Sequence, residues 1–202
     1  MSYILGINAF HADASACIIK DGVVIAAAEE ERFLRIKHWA GFPKESICYC
    51  LHEAGISLDD LDFIAVNSNP RSNIGRKVMH VAKYGVSFRL IKDRLKNLAA
   101  RKSLRKFLSD AFPKNNFMGE IKYIDHHLCH LASAFFASPY ENAAAISVDG
   151  FGDFSSGCWG IGSGSNITVG GNVYYPHSLG VFYQAITQFI GFPNYGDEYK
   201  IM

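Results

Sequence analysis

The sequence predicts an α/β protein, on three observations. Short apolar runs typical of strands alternate along the chain with segments whose apolar residues recur at helical spacing. Three strand-like runs come first and are followed by a helix and a further strand, an order that favours a sheet covered by helices. Glycine, proline and an Asp-Gly pair separate these segments at the points where turns are needed.

Four early apolar runs predict strands. Two of them are joined by Asp21-Gly22, a pair that tolerates the positive φ of a tight hairpin turn. Between the third and fourth runs, residues 43–55 predict a helix, because apolar residues recur at helical spacing and Gly55 suits a C-cap. The four runs are residues 3–8, 14–20, 23–31 and 60–69.

The later part of the chain continues the alternation. Residues 126–138 predict a helix with Asp125 as N-cap, and residues 178–192 predict another, with Ser178 as N-cap and Gly191 as C-cap. Strands are predicted at residues 120–125 and 143–153, with further strand and turn at 157–171. In the first of these helices we expect a buried apolar stripe of Leu128, Leu131, Ala132 and Phe135.

A strongly basic segment lies between these two parts. Residues 71–106 contain twelve lysines and arginines and one acid, Asp93. The pattern predicts amphipathic helices with a basic face, which fits an inserted helical subdomain or, alternatively, an anion-binding or nucleic-acid surface. No aromatic platform accompanies the charges, so nucleic acid is the less favoured partner. The apolar positions at helical spacing are Phe88, Ile91, Leu95, Leu98, Leu104, Phe107, Leu108 and Ala111.

The composition is that of an ordinary globular protein, 49% hydrophobic and 19% charged with a net charge of +1. This balance excludes a protein that seeks polyanions over its whole surface. Five cysteines without a paired CxxC motif predict free thiols in a reducing compartment. No signal-peptide pattern or membrane-spanning apolar run is present, so we expect a cytoplasmic protein without a membrane partner.

Two histidines of the predicted helix at 126–138 are candidate metal ligands. His126 and His130 are four residues apart, so on a helix both rings lie on one face and can share one ion. His127 points about 100° away from that face, given 3.6 residues per turn. The alternative is a pair of surface histidines that bind nothing.

A carboxylate for the same ion is offered by Asp149, near the end of an apolar strand, where ligands gather in open α/β sheets. Gly150 and Gly152 follow it and would let backbone amides approach a phosphate closely. The same Asp-Gly-x-Gly pattern also describes an ordinary hairpin turn, so the sequence leaves both interpretations open.

Two further segments carry candidate site residues. His11 could act as a general base near neutral pH, or its segment could be a plain turn. Arg32, Lys37 and His38, together with Arg35, could bind a phosphate or a carbamoyl group. The alternative for this second segment is a charged, exposed loop.

Four segments together resemble a known family, the carbamoyltransferases that include nodulation-factor, cephem-antibiotic and aminoglycoside O-carbamoyltransferases. They occur in the family's order and cover nearly the whole chain outside residues 71–118. The segments are ILGINAFHADASACII, AAAEEERFLRIKHWAGFP, DHHLCHLASAFFASPYENAAAISVDGFGD, and HSLGVFYQAITQFIGF followed by GDEYKIM.

The resemblance implies an actin/Hsp70/sugar-kinase-like (ribonuclease H-like) fold. Residues 1–202 would form its first half and the start of its second, with a basic helical insertion at about 71–118. We expect that the remainder of this domain and a C-terminal adenylate-forming domain lie outside the chain. On that expectation, the chain alone lacks adenylate-forming activity.

The resemblance also implies chemistry and residue roles. Carbamoyl phosphate and ATP would give carbamoyl-adenylate, from which the carbamoyl group passes to a hydroxyl of a small acceptor. His126, His130 and Asp149 look like ligands of a divalent ion, iron(II) first, with zinc or manganese as other candidates. A further acidic family ligand has no counterpart here. His11 looks like the base, although Ala12 interrupts the family's His-Asp-Ala-Ser-Ala pattern.

Two other functions stay open at this point. The first is a related enzyme of the same fold that transfers a threonylcarbamoyl group to tRNA, with the basic helices touching RNA. The second is a non-catalytic domain of this fold that binds metal or nucleotide. The sequence identifies neither the acceptor nor the oligomeric state.

Overall fold

The computed structural model of the chain describes residues 1–85, 104–194 and 196–202. These residues form two compact units. The first consists of Met1–Asn67 and His80–Ile124, and the second of Ser68–Met79 and Asp125–Met202.

The first unit is built on a five-stranded sheet with strand order β3-β2-β1-β4-β5. The first three strands pair antiparallel as consecutive hairpins. β4 then pairs parallel with β1, and β5 pairs parallel with β4. The strands are β1 Tyr3–Asn8, β2 Ser15–Lys20, β3 Val23–Glu29, β4 Phe63–Val66 and β5 Glu120–Tyr123.

Helices cover this sheet and connect its strands. α2 ends at Gly55, which adopts the left-handed conformation (φ 65°) that the sequence predicts for a C-cap. α3 contributes to both units. The helices are α1 Glu31–Leu34, α2 Lys44–Ala54, α3 Ile74–Tyr84 and α4 Leu104–Ala111, with a 3₁₀ turn at Leu58–Asp60.

Alternating apolar residues of the strands make the core of the first unit. Leu5 and Ile18 of the sheet are fully buried against Ile47 of α2. Leu104 and Leu108 of α4 belong to the same core cluster, so this part of the basic segment is packed into the main unit. The predicted apolar positions Phe88, Ile91, Leu95 and Leu98 lie outside the described residues.

The second unit has a three-stranded antiparallel sheet in the order β6-β7-β8. Leu131 and Phe135 of α5 pack against Ala145 of β6 and Cys158 of β7 to form its core. The elements are α5 His126–Phe136, β6 Asn142–Gly152, β7 Ser155–Ser163, β8 Asn166–Tyr174 and α6 Leu179–Phe189, with a 3₁₀ turn at Asp197–Ile201.

The predicted fold class is confirmed. The first unit combines a sheet of three antiparallel and two parallel strands with helices, which is the α/β class that the sequence predicts. The second unit again begins its sheet with an antiparallel meander. Ser178 caps α6 as predicted, but this helix ends at Phe189 with Ile190 as C-cap, one residue before Gly191. In the part of the chain described here, no helix is long and apolar enough to cross a membrane.

The buried carboxylate of Glu30 anchors α2 to the end of β3. Glu30 is 2% exposed, and its two oxygens accept hydrogen bonds from the Glu45 amide (3.0 Å), the Ser46 amide (2.8 Å) and the Ser46 hydroxyl (2.8 Å). The first amides of a helix have no partner within the helix, and a negative charge is favourable at that end. Glu30 therefore replaces the missing side-chain cap of α2.

We expect Glu30→Ala to lower the free energy of unfolding by about 2–3 kcal/mol, because it removes charge-assisted hydrogen bonds and leaves buried donors unsatisfied. Urea denaturation measures this difference. Glu29→Ala is the matched control. The Glu29 side chain is 48% exposed and pairs with Arg32 at 3.9 Å, so its loss should change stability by less than about 0.5 kcal/mol. Equal effects of the two variants would contradict the assigned role of Glu30.

Candidate metal centre

The first turn of α5 is fixed by capping. The Asp125 Oδ1 atom accepts a hydrogen bond from the His127 amide at 3.1 Å, which confirms the predicted N-cap. The Ser72 hydroxyl donates to Asp125 Oδ2 at 2.8 Å. The cap is thus itself held in place, and the helix starts at His126, the first candidate ligand.

The structure brings the three predicted ligands together. The Nε2 atoms of His126 and His130 lie 3.0 Å apart, as expected for rings one helical turn apart. Asp149 Oδ2 lies 2.9 Å from the Nε2 atom of His126 and 3.5 Å from that of His130. The three residues form a group of ligand atoms that all lie within 4.8 Å of one another.

Asp149 reaches this position because β6 becomes irregular there. Regular pairing with β7 ends at Val148, opposite Gly157, and resumes at Gly152, opposite Ser155. Asp149 therefore lies at the start of a bulge inside an antiparallel strand. Asp149 lies near the carboxyl end of β6, where the sequence predicts it, and the bulge re-aims its side chain.

The backbone of Asp149 is also held from α6. The Ser178 hydroxyl lies within hydrogen-bond distance of the carbonyl oxygens of Asp149 (3.0 Å) and Gly150 (2.9 Å), and it accepts from the Val181 amide as the helix cap. Gly180 packs so closely that a Cβ atom there would lie 2.5 Å from the Asp149 carbonyl oxygen. Two residues at the start of α6 thus fix the ligand-bearing strand at this point.

The ring of His126 rests on Gly152. A Cβ atom at Gly152 would lie 2.0 Å from Cδ2 of that ring, whereas a Cβ atom at Gly150 would meet nothing within 4 Å. Gly152 therefore has a structural reason to lack a side chain, and Gly150 has none of this kind. The assignment of both glycines to phosphate binding stays a prediction.

The electrostatics of the group favour a bound cation. Hydrogen bonds from His126 and then His130 hold the pKa of Asp149 well below its usual range, against the opposing effect of burial. Asp149 is therefore a carboxylate at neutral pH. In the neutral tautomer without a proton on Nε2, each ring offers a lone pair there, and a metal ion could bind both lone pairs beside this carboxylate.

The donor set fits a divalent transition metal. Two imidazoles and one carboxylate suit iron, zinc or manganese, and the sequence alone does not decide among them. Separations of 2.9–3.5 Å among the three ligand atoms suit ligands that share one ion at bond lengths of about 2.0–2.2 Å.

His127 and Asp153 were not identified as site components from the sequence. His127 is fully buried, its Nδ1 atom lies 2.7 Å from the Ser147 hydroxyl, and burial lowers its pKa. His127 is buried on the same face of α5 as Leu131 and Phe135. The sequence predicted Leu128 and Ala132, and not His127, as the other members of this buried stripe. The spacing of four residues between positions 127, 131 and 135 is the sequence signal that could have predicted the burial of His127. The Asp153 carboxylate accepts a hydrogen bond from the His126 amide.

The other candidate residues lie in the first unit. The loop with His11 is joined to the segment after α1 by hydrogen bonds from the Phe10 amide to the Gly41 carbonyl and from the Ala14 amide to the Trp39 carbonyl, both 3.0 Å. His38 Nδ1 lies 2.9 Å from Asp13 Oδ1. Arg32, Lys37 and His38 are exposed, and His11 is half-buried. The loops bring His11 and His38 into neighbouring segments, which the sequence did not predict.

Comparison with known proteins identifies the relatives of this chain. The family model described as the carbamoyltransferase N-terminus matches residues 3–202. An uncharacterised protein of Synechocystis sp. is 36% identical over 100% of this chain and 34% of its own length. The nodulation protein NolNO of Sinorhizobium fredii is 36% identical over 96% of this chain and 28% of its own length. The chain thus spans about a third of these curated relatives.

Among solved structures, component A of the (R)-2-hydroxyglutaryl-CoA dehydratase of Acidaminococcus fermentans is similar to this chain. The alignment covers 94% of this chain and 54% of that one, with 14% identity and a TM-score of 0.44. At that level the similarity carries no functional conclusion.

We expect Gly152→Ala to displace the His126 ring and to cost about 1–3 kcal/mol of stability, because the added methyl group overlaps the ring. The displacement is measured from the His126 ring signals in ¹H–¹³C spectra of the metal-free protein. Gly150→Ala is the matched control and should leave both the ring signals and the stability close to wild type. Unchanged His126 signals in Gly152→Ala would contradict this packing.

Proposed function

Because the chain belongs to the carbamoyltransferase family, we propose that it supplies the metal-binding, group-transferring part of an O-carbamoyltransferase. In this proposal carbamoyl phosphate, ATP and water give carbamoyl-adenylate, phosphate and pyrophosphate, and the carbamoyl group then passes to a hydroxyl of a small-molecule acceptor with release of AMP. The observation that carries the proposal is the convergence of His126, His130 and Asp149 on one point in the second unit. Since the chain spans about a third of its relatives, the complete reaction belongs to the longer protein in this proposal.

The three ligands would hold one divalent ion, with iron(II) the first candidate. Both imidazoles bind a metal in their neutral form, and the carboxylate of Asp149 contributes one negative charge. When bound, the ion would act as a Lewis acid that stabilises negative charge on the carbamoyl donor. The group is one carboxylate short of the four-ligand set that the resemblance implies.

Other residues have proposed roles in binding the donor. The backbone at Gly150 and Gly152 would approach the phosphate of carbamoyl-adenylate, and Gly150 is open enough for this. Arg32, Lys37 and His38 would offer positive charge and hydrogen-bond donors to a phosphate or carbamoyl oxygen. Their exposure in the first unit leaves them accessible to such a ligand.

His11 is the proposed general base. As the acceptor oxygen forms its bond to the carbamoyl carbon, a neutral imidazole would accept the hydroxyl proton. The bond between that carbon and the phosphate oxygen breaks, and AMP leaves. In the structure the Asn8 side-chain amide donates to the carbonyls of Ala12 (3.2 Å) and Asp13 (2.9 Å), which fixes the loop immediately after His11 despite the extra Ala12.

Metal binding gives the direct test of the proposal. We expect the purified chain to bind one Co(II) ion in equilibrium dialysis, because Co(II) accepts the same ligand set. Removal of two of three ligands in His126→Ala/His130→Ala should weaken binding by more than about a hundredfold, beyond what loss of an outer-shell contact costs.

The control variant for this test is His52→Ala, whose side chain is 85% exposed and contacts Glu53. It should bind Co(II) like the wild type. Stoichiometric binding by the double histidine variant would refute the ligand assignment. Absence of Co(II) binding by the wild type would favour a non-catalytic domain that binds nucleotide and no metal. Tight, strongly salt-dependent binding of tRNA would favour the threonylcarbamoyl-transferring enzyme.

We expect Co(II) affinity to fall as the pH is lowered from 7 to 5, by up to about tenfold per pH unit for each histidine that must lose a proton. The lowered pKa of Asp149 means that this carboxyl is still ionised over that range, so it contributes nothing to the loss. His130→Ala should therefore show a shallower pH dependence than the wild type. Dialysis at several pH values measures both slopes, and identical slopes would contradict a two-histidine site.

A further inference from the structure

Asp153 occupies the two-residue turn between β6 and β7. Gly152 pairs with Ser155, and the two residues between them have positive φ, 51° for Asp153 and 73° for Phe154. Such a turn requires positive φ, which aspartate and asparagine tolerate better than most residues. Because asparagine or glycine would serve equally well, the turn alone does not account for a charged side chain at this position.

The carboxylate of Asp153 collects three donors. Its Oδ2 atom accepts from the Asn69 amide at 2.7 Å and from the His126 amide at 3.0 Å. Its Oδ1 atom accepts from the Ser68 hydroxyl at 3.0 Å. The backbone carbonyl of Asp153 accepts a fourth bond, from the Asn73 side-chain amide at 2.9 Å. Both oxygens of a carboxylate can accept, so the charged form suits this set of donors where a neutral amide does not.

The bond to His126 is the one that bears on the metal centre. His126 is the first residue of α5, and its amide has no acceptor within the helix. The carboxylate of Asp153 satisfies that amide and places negative charge at the positive end of the helix. Asp125 caps the next amide, so the two carboxylates divide the first turn of α5 between them.

One short stretch of chain thus fixes His126 at three places. Asp149 contacts its Nε2 atom, Gly152 supports its ring, and Asp153 binds its backbone amide. All of these residues belong to the second unit. The His126 ring therefore cannot rotate away from His130 without losing its contact with Asp149 or with Gly152.

We propose that Asp153 is a positioning residue of the metal centre, acting on the ion through His126 and not as a ligand. This inference rests on the proposed function. It predicts that the charge of Asp153 sets metal affinity beyond its contribution to folding. Outer-shell groups that orient a ligating histidine typically contribute 10–100-fold in affinity.

Asp153→Asn tests the inference, because asparagine keeps the tolerance for positive φ and nearly the same shape. Its side chain has one acceptor atom for three donors, so the hold on the His126 amide weakens. We expect a Co(II) dissociation constant about 10–100-fold above wild type, together with a change in the visible absorption of the bound Co(II). Competition with a chelating dye measures the first, and absorption spectroscopy the second.

Asp197→Asn is the matched control. Asp197 is a buried carboxylate of the second unit that lies outside the metal centre, and it accepts from the Asn194 amide at 3.1 Å and pairs with Lys200 at 2.6 Å. The variant should lower the thermal midpoint without changing Co(II) affinity or spectrum. If Asp153→Asn folds poorly, Ser68→Ala removes a single donor from the same carboxylate. That variant should keep the fold and weaken Co(II) binding to a smaller extent.

The outcomes separate this inference from the proposed function. If Asp153→Asn binds Co(II) with the affinity and the absorption spectrum of the wild type, the inference is overturned and the proposed function is not. An equal loss of affinity in Asp197→Asn would also overturn it, because the effect would then follow stability and not position. No Co(II) binding by the wild type would overturn the proposed function, and this inference with it.

Discussion

The packing of α5 against β6 and β7 is the contact on which the candidate metal centre depends. Leu131 and Phe135 are buried against Ala145 and Cys158, and burial of each large side chain contributes about 1.5–3 kcal/mol. The polar contacts at the N-terminal end of the same helix are individually worth about 0.5–1.5 kcal/mol, or more where a charge takes part. The apolar contact therefore fixes the position of the helix, and the polar contacts set the orientation of His126 within it.

The candidate site could be predicted from the sequence where the signals are local. His126 and His130 are brought together by helical periodicity alone, and Asp149 lies near the end of a recognisable apolar strand. The succession of strands and helix at the start of the first unit was predicted in the same way, from alternating elements and one hairpin signal. These features depend on neighbours a few residues apart, which a single sequence displays directly.

Contacts between distant segments could not be predicted in this way. Asp153 meets the Ser68 hydroxyl and the Asn69 amide across more than eighty positions of sequence, and nothing in either segment specifies the other. Glu30 and Arg32 belong to one charged segment, and their different surroundings could not be predicted from the sequence either. Glu30 is buried as the cap of α2, whereas Arg32 lies exposed in a surface ion pair. Only the position of the α2 N-terminus distinguishes these neighbours, and that position is a property of the folded unit.

If the proposed ion binds, the arrangement links its binding to the stability of the second unit. The three ligands come from α5 and β6, the two elements whose apolar faces already pack together. An ion held by both would stabilise the folded unit in proportion to the logarithm of its concentration over its dissociation constant, since the unfolded chain does not preserve this geometry. The bulge at Asp149 and the positive-φ turn at Asp153 are unfavourable backbone features that such binding would offset. The bulge and the positive-φ turn therefore lie on the same five residues, 149–153, that carry the proposed ligand Asp149 and the two contacts to His126 from Gly152 and Asp153.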